Sequence, residues 1–263
     1  MSRISMYLAP LILFELIVLA GCASHGGGSG HQATEAHQAG ANPGGFYSGT
    51  LSNGFIHNTL VLENGQFYVL YGVSTTASLK LAGFIQGTGK PNNGSLGSND
   101  LKDYFWDGSV SGGSLNAAYS GSALIGTLSK KDLTISLAST PLASAFYNYD
   151  VPASVSDIAG SWTLTTLTGT AATMVIDANG AFTGDTNRCA YKGTLAPRAS
   201  GKNVFDVSLT FGGSPCSLPN RTVSGVAVSF LMSDGVTRQL IMAGITANRE
   251  QGTGLFGTRS PKK

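Results

Sequence analysis

The stretch TLVLENGQFYVL, residues 59–70, carries the clearest local structural signal in this 263-residue chain. Apolar side chains occupy residues 60–62 and 67–70 on either side of Asn64-Gly65, and we interpret the two runs as strands with a burial period of two. An Asn-Gly pair between two such runs is a strong hairpin signal, because a type I′ turn needs positive φ at both central residues. The stretch therefore predicts an antiparallel hairpin.

A second copy of this hairpin lies in the other half of the chain. Residues 173–177 lead through Asn179-Gly180 into a strand that contains Phe182, and they match the first copy apart from one inserted residue, Ala178. The halves also match at residues 45–50 and 160–164, 84–88 and 190–194, and roughly 108–112 and 221–225. The repetition predicts a duplicated unit, in which Phe67 and Phe182 are equivalent and both buried.

The composition favours β structure throughout this duplicated body. The chain has 36 glycines, only 11% charged residues and no long segment with helical periodicity. We predict an all-β fold of two tandem small antiparallel β-barrel, or sandwich, domains at residues 44–152 and 157–260, and strand glycines such as Gly87 and Gly193 favour barrels. One continuous sheet structure and a transmembrane outer-membrane barrel are the alternatives.

The first 22 residues indicate export and lipidation. A positive start precedes an apolar run that is too short to span a bilayer, so residues 1–21 are predicted to be a signal peptide. The run ends in Leu19-Ala20-Gly21-Cys22, which resembles the lipobox of bacterial lipoproteins. The resemblance implies that the Cys22 thiol carries diacylglycerol, and Ala23 after it favours the outer membrane in the enterobacterial sorting pattern.

A flexible linker is predicted at residues 22–43, because it is rich in Gly and holds almost no large apolar side chain. It contains His25, His31 and His37, whose imidazoles are potential metal ligands. Their loose spacing favours a polar linker over a metal-scavenging tail, so no metal site is assigned.

The remaining two cysteines are Cys189 and Cys216, both in the second half. An exported protein meets an oxidising compartment, so they are predicted to form a disulfide. The wide spacing argues against a redox or metal pair.

Sequence motifs of catalysis are not found in this chain. His57 is the single histidine of the body and is expected to be structural. Asp100, Asp103 and Asp107 are interpreted as polar groups of turns and loops. We therefore expect no enzyme and no cofactor, and the net charge of +2 with dispersed basic residues argues against a nucleic-acid partner.

Two aromatic groups are the candidate binding residues. The first contains Tyr104, Phe105 and Trp106, and the second contains Tyr147 and Tyr149 near the domain junction. Aromatic side chains provide large contact areas and are favoured at binding hot spots. The alternative is that they plug the barrel ends or seal the interface between domains.

The whole arrangement resembles surface lipoproteins of Gram-negative bacteria, in which a lipobox and a Gly-rich tether precede small β-barrels. The resemblance implies a lipid-anchored outer-membrane protein, on the periplasmic or cell-surface face, that acts as a binding or structural module. Its partners would be the membrane, through the anchor, and either a protein or a small apolar ligand. Two alternatives stay open, namely a lipocalin-like carrier of a small apolar ligand and an unrecognised hydrolase.

Overall fold

The computed structural model of the protein describes residues 42–74 and 79–259, which fall within one unit of the chain, Gln38–Lys263. The predicted signal peptide, the linker as far as residue 41, Cys22 and the three linker histidines lie outside the described residues. In that described part, no helix has the length and apolar character that a bilayer crossing requires.

The first half of the body is a ring of antiparallel strands. Eight strands pair in the order β1-β2-β3-β4-β6-β7-β8-β9, and β9 returns to β1, while the three-residue β5 pairs with the start of β6. The strands are β1 Gly45–Leu51, β2 Ile56–Val61, β3 Gln66–Ser74, β4 Leu79–Thr88, β5 Lys90–Asn92, β6 Ser95–Phe105, β7 Val110–Ser120, β8 Ala123–Lys130 and β9 Leu133–Pro141.

The second half is a closed barrel of eight antiparallel strands, β10 to β17. A four-residue helix, α1 Val155–Ile158, precedes β10 Gly160–Thr166, β11 Ala171–Ile176, β12 Ala181–Thr186, β13 Cys189–Pro197, β14 Phe205–Phe211, β15 Thr222–Leu231, β16 Arg238–Ile245 and β17 Gly252–Arg259. The predicted fold class is confirmed, with barrels rather than sandwiches. Closure removes the exposed sheet edges that two open meanders would carry.

The two Asn-Gly turns differ in type from the prediction. Gly65 and Gly180 have φ of +81° and +82°, whereas neither asparagine has a positive φ, so the predicted type I′ turn is wrong. Gly65 N–H donates to the Leu62 carbonyl at 3.0 Å, and Gly180 N–H donates to Asp177 at 3.1 Å. This is a β-turn followed by a left-handed glycine, the arrangement of longer hairpin loops.

The same geometry corrects the alignment of the halves. Each loop has four residues between its strands, so Ala178 is not an insertion but occupies the position of Glu63. Phe182 then lies 115 positions after Phe67 with no gap between the turns.

The predicted equivalence of Phe67 and Phe182 is confirmed. Both are buried, at 0% and 3% exposure, and each faces the interior of its own barrel. Phe67 pairs with Gly87 and Phe182 with Gly193 across the next strand. A Cβ on either glycine would lie 2.5–2.6 Å from the phenyl ring, so in both barrels the glycine makes room for the ring.

The entry to each barrel repeats as well. Tyr47 and Trp162 stand two residues after the first glycine of their barrels and are both buried. The Tyr47 hydroxyl donates to the Pro43 carbonyl at 2.9 Å, and Trp162 Nε1 donates to the Ile158 carbonyl at 2.7 Å. In each case the acceptor lies four residues earlier, so the duplication extends to the buried hydrogen bond that fixes the first strand.

Apolar side chains fill the interiors of both barrels. The first interior contains Tyr47, Leu51, Val61, Phe67, Val69, Tyr71, Ile85, Leu96, Leu101, Leu115, Ala117, Leu124, Leu128, Ile135 and Leu137. The second interior includes Trp162, Leu164, Met174, Ile176, Phe182, Tyr191, Leu195, Phe205, Leu209, Phe211, Leu240, Met242 and Leu255.

A third apolar cluster joins the two barrels. It is built from outward-facing side chains, and the rings of Phe46 and Phe230 lie 5.3 Å apart within it. Its members include Phe46, Leu60, Leu62, Tyr68, Leu70, Phe84 and Tyr104 from the first barrel and Val226, Val228, Phe230, Ile241, Ala243 and Phe256 from the second. Burial of these walls fixes the barrels against each other.

Ion pairs flank this cluster. Arg198 contacts Glu63 at 2.8 Å, and Arg249 contacts Asp100 at 2.9 Å, so each pair links the second half to the first. The interface therefore has an apolar centre and a charged rim.

Candidate functional site

Three of the five candidate aromatics are buried between the barrels. Tyr104 is 1%, Tyr147 5% and Tyr149 8% exposed. Because so little of each side chain is exposed, we interpret them as sealing the domain interface, which was the alternative interpretation of these residues.

Tyr104 occupies the centre of this seal. Its ring stacks on Phe84 with centroids 4.7 Å apart, and its hydroxyl donates to the Arg249 carbonyl at 3.0 Å. The second barrel approaches through Gly252, where a Cβ would lie 2.8 Å from the Tyr104 ring. Only a residue without a side chain allows this contact.

Tyr147 and Tyr149, in the segment between β9 and α1, also bridge the two barrels. Tyr147 packs against Phe46 with centroids 5.1 Å apart and donates a hydrogen bond to the Asn203 carbonyl. Tyr149 donates to a Glu63 carboxylate oxygen at 3.1 Å, and burial is the largest cause that raises the pKa of Tyr149.

Trp106 is the one of the five that is exposed, at 57%. It lies at the tip of the β6–β7 hairpin, where its backbone N–H donates to the Ala82 carbonyl at 3.1 Å. Asp107 accepts hydrogen bonds from the backbone N–H and the hydroxyl of Ser109, at 2.9 and 2.6 Å, and these bonds lower the pKa of Asp107. The hairpin thus holds a large apolar ring in solvent on a fixed turn.

Phe105, beside it, is half-buried and lies under the Lys130 ammonium, which is 4.7 Å from the ring centroid. This contact anchors the hairpin base to the first barrel.

A cleft of about 280 Å³ lies beside this hairpin. It opens where Phe105 and Trp106 of the first barrel face one end of the second barrel. The full lining is Tyr104, Phe105, Trp106, Gly108, Ser109, Val110, Thr166, Leu167, Thr168, Thr170, Thr186, Asn187, Cys189, Tyr191, Leu209, Phe211, Pro215, Ser217, Leu218, Gln251, Gly252, Thr253 and Leu255.

The floor of the cleft is the mouth of the second barrel. Tyr191, Leu209, Phe211 and Leu255 line it and also belong to the barrel interior. The Tyr191 hydroxyl donates to the Thr173 carbonyl at 2.9 Å, so its ring is held in place. The floor is therefore apolar, aromatic and preorganised.

The rim of the cleft carries hydroxyl and amide groups. Thr166, Thr168 and Thr170 are linked through their hydroxyls at 2.9 and 3.3 Å, and the Thr170 N–H donates to the Thr166 hydroxyl at 3.0 Å. Asn187 and Gln251 add two amides. Hydroxyls and amides both donate and accept hydrogen bonds.

The disulfide fixes another part of the rim. Cys189 and Cys216 are bonded, with Cα atoms 4.7 Å apart, as predicted. Pro215, Ser217 and Leu218 next to the second cysteine all line the cleft, so the bond attaches their loop to strand β13.

Loss of this bond is expected to destabilise the second barrel. Replacing Cys189 and Cys216 by Ala removes a cross-link between residues 27 apart, which stabilises the fold by about 3 to 4 kcal/mol in the chain-entropy model. Urea denaturation of the double variant would measure this loss. Reductant should lower the stability of the wild type by a similar amount and leave the variant unchanged, and an unaffected wild type would contradict the prediction.

His57 and Asp103 lie away from the cleft, inside the first barrel. Asp103 is fully buried and accepts hydrogen bonds from the Tyr71 hydroxyl, at 2.7 Å, and from Lys130. Its interpretation as a turn or loop group is therefore wrong. Asp107 does lie in a turn, while Asp100 lies in strand β6 and pairs with Arg249.

The acid-base properties of this interior follow from burial. Burial raises the pKa of Asp103 above its ordinary value, against the opposing effect of Lys130. Burial also lowers the pKa of His57 to about 4. His57 Nδ1 lies 2.9 Å from the Thr59 hydroxyl, and its Nε2 has no hydrogen-bond partner among the described residues.

The neutral His57 predicts a loss of stability in acid. The unfolded chain binds a proton near pH 6.5, whereas the folded chain binds it only near pH 4, so stability falls as the pH falls through this window. The loss approaches about 3 kcal/mol below it. Urea denaturation at both ends of the window would measure it, and His57→Asn should flatten the slope. An equal slope in wild type and variant would contradict the assignment.

A wider groove of about 600 Å³ also runs between the barrels. Its charged residues Arg198, Asp206 and Arg249 are engaged in ion pairs with one another or with Glu63 and Asp100. Within the described ranges, no group of three or more His, Cys, Asp or Glu residues is placed to hold a metal ion. The cleft beside Trp106 is thus the better candidate site.

The sequence pattern identified Tyr104, Phe105 and Trp106 but not the other walls of the cleft. Thr168, Tyr191 and Phe211 lie far from the hairpin in sequence, and no local pattern marks them.

No protein-family model and no curated protein matches the chain. Among solved structures, it is similar to transferrin-binding protein B of Neisseria meningitidis, with 9% identity, a TM-score of 0.25 and coverage of 79% of this chain and 58% of that one. A mutant of transferrin-binding protein B of Haemophilus parasuis gives 11% identity, a TM-score of 0.26 and coverage of 80% and 61%.

A protein of unknown function from the DUF3598 family of Nostoc punctiforme gives 12% identity, a TM-score of 0.25 and coverage of 83% and 94%. This chain spans only about three fifths of the length of the two transferrin-binding proteins. At TM-scores this low, the likeness carries no argument about function.

Proposed function

We propose that this chain is a non-enzymatic binding protein, anchored by lipid on Cys22 to the outer membrane of a Gram-negative bacterium, and that the cleft beside Trp106 is its binding site. The observation that carries the proposal is Trp106 itself. A fixed hairpin holds this ring 57% exposed at the edge of a cleft whose floor is aromatic. Preorganised aromatic anchors of this kind are favoured in binding sites because little entropy is lost on contact.

The cleft chemistry supports binding over catalysis. None of the described residues that line it is Asp, Glu, His, Lys or Arg, which are the commonest general acids and bases. The two lining tyrosines, Tyr104 and Tyr191, donate their hydroxyl protons to backbone carbonyls. The buried His57 and Asp103 lie in the other barrel and make contacts within it.

The barrel interiors favour a site at the mouth over a lipocalin-like carrier. A carrier of that kind holds its ligand inside the barrel, whereas large side chains such as Phe67 in the first barrel and Trp162 in the second occupy these interiors. The cleft lies outside the packed cores, beside the exposed Trp106, and needs no emptying of the core.

Tryptophan fluorescence provides a direct test. The chain has two tryptophans, and Trp162 is buried at 2% exposure. The difference in fluorescence emission between wild type and Trp106→Phe therefore gives the emission of Trp106 in the cleft. We would titrate the mature chain, in detergent micelles, with neutral oligosaccharides, acidic oligosaccharides, short peptides and fatty acids. At least one class should change the Trp106 emission saturably.

The matched control is Ile125→Ala, which removes an apolar side chain of similar exposure, 56%, outside the cleft. It should bind like the wild type. If no class changes the emission of Trp106, or if the control weakens binding as much as Trp106→Ala, the cleft is not the binding site and the proposal fails.

A further inference from the structure

We infer that the ligand of the cleft is an uncharged carbohydrate, held as a short stretch of a neutral glycan. The inference rests on the proposed function, since it names the ligand class of that site. Three features of the lining carry it, namely its charge, its aromatic surface and its hydroxyl groups.

Among the described residues, the lining of the cleft carries no charged side chain. None of its 23 side chains is Asp, Glu, His, Lys or Arg among the residues that the structure describes. A carboxylate, phosphate or ammonium that entered would lose water without gaining a counter-charge, which is strongly unfavourable. The charged neighbours in sequence, Asp107, Arg188 and Glu250, are exposed and do not belong to the lining. A neutral ligand is therefore favoured.

The aromatic surfaces suit the apolar face of a sugar ring. Pyranose rings present C–H groups on one face and hydroxyls around the edge. Trp106 offers an exposed indole as the main stacking surface. Tyr191 and Phe211, with ring centroids 6.5 Å apart, are only 4% and 7% exposed and form the apolar floor behind it. A sugar ring can pack its C–H face on such surfaces while its edge remains free for hydrogen bonds.

The rim supplies partners for that edge. Thr166, Thr168 and Thr170 form a chain of hydroxyls, and Asn187 and Gln251 provide amides. Sugar hydroxyls donate and accept, and so do these groups. A purely apolar ligand such as an acyl chain would displace water from these hydroxyls and amides and offer no hydrogen bond in return, at a cost of about 1 to 3 kcal/mol for each group left unsatisfied.

The size of the cleft agrees with this class. Its volume of about 280 Å³ is near the lower end of small-molecule sites, about 300 to 1,000 Å³. It would hold roughly nine water molecules at about 30 Å³ each. This is room for about one or two sugar rings of a longer glycan, whereas a folded protein partner would need a far larger surface.

The test compares matched ligands on the mature chain in detergent micelles, with Trp106 emission as the signal. One set consists of neutral glucose-, galactose- and N-acetylglucosamine-based oligosaccharides, and a second has the same skeletons oxidised to uronic acids. Short neutral peptides form the third set. At least one neutral oligosaccharide should bind saturably, and its uronic acid counterpart should bind at least about tenfold more weakly.

Two variants connect the binding to the lining. Affinities of the variants are compared by isothermal titration calorimetry, because Trp106→Ala lacks the fluorescent ring. Trp106→Ala should weaken the oligosaccharide at least about tenfold, and Thr168→Val, which keeps the side-chain shape and removes an exposed hydroxyl, should weaken it by a smaller factor. Ile125→Ala should have no effect. Binding by uronic acids or peptides alone would overturn the carbohydrate inference and leave the site in place. If no ligand changes Trp106 emission, the proposed function itself fails.

Discussion

Replacing Cys22 by Ala is expected to abolish lipidation and to release the protein from the membrane. The lipobox-like Leu19-Ala20-Gly21-Cys22 assigns the acylated thiol, and Ala has no group that can carry diacylglycerol. Anchoring is strong because burial contributes about 0.8 kcal/mol per methylene, and two or three chains together hold a protein where a single chain holds it only marginally. The expected change is therefore from fully membrane-bound to unanchored.

Metabolic labelling with a fatty-acid analogue, followed by fractionation of the envelope, would measure this change. Ser24→Ala is the matched control, since it alters a neighbouring residue and leaves the thiol in place, so it should label and fractionate like the wild type. Labelling that persists in Cys22→Ala would show that the anchor is elsewhere or that the signal segment is of another kind.

Replacing Asp103 by Ala is expected to have the largest effect on stability. Asp103 is fully buried in the first barrel, and its carboxylate binds Lys130 and the Tyr71 hydroxyl. Its removal leaves the Lys130 ammonium, whose side chain is only 12% exposed, without its counter-charge. Breaking a buried pair in this way costs about 3 to 5 kcal/mol.

A double variant separates the interaction between Asp103 and Lys130 from the cost of burying a single unpaired charge. Asp103→Leu combined with Lys130→Met replaces both charges by apolar groups and should recover most of the loss, because no uncompensated charge remains. Denaturation in urea would give the free energies of unfolding.

The control is Asp150→Ala, which breaks the ion pair with Lys202 at 2.8 Å, in which the carboxylate is 76% exposed. It should cost less than about 1 kcal/mol. If Asp103→Ala costs no more than Asp150→Ala, the buried pair does not stabilise the barrel as described.

Local patterns predicted the repeated hairpins well and their turns less well. Phe67 and Phe182 each stand two residues after the turn glycine, which puts them on the same face of their strands, and both were correctly predicted to be buried. Asn-Gly is compatible with several loop types. In both barrels the turn glycine accepts a hydrogen bond from the neighbouring chain segment, which the local sequence does not show. Gly89 N–H donates to the Gly65 carbonyl, and Leu195 N–H donates to Gly180, both at 2.8 Å.

Two near-continuous apolar runs in the sequence also indicate the interface between the barrels. Residues 226–230 and 240–243 are buried continuously rather than at every second position. Strands buried on both faces show such near-continuous apolar runs. Ala227 faces the barrel interior, while Val226 and Val228 face the other barrel.

The aromatic candidates show where local reasoning ends. Tyr104 and Trp106 are two residues apart and chemically similar, yet one is 1% and the other 57% exposed. The difference arises because Gly252, about 150 positions later, allows the second barrel to cover Tyr104. No pattern within the segment encodes that contact.

The sequence by itself determined the all-β class, the duplication, the pairing of Cys189 with Cys216 and the expectation of a lipid anchor on Cys22. These follow from interactions between near neighbours, from composition and from compartment chemistry. Only the tertiary structure decided that the barrels pack through their outer walls and that Asp103 is a buried partner of Lys130. It also decided that Trp106 lines a cleft without charged side chains among the described residues. Each of these joins residues that are distant in the chain, and their contacts depend on how closed barrels meet in space.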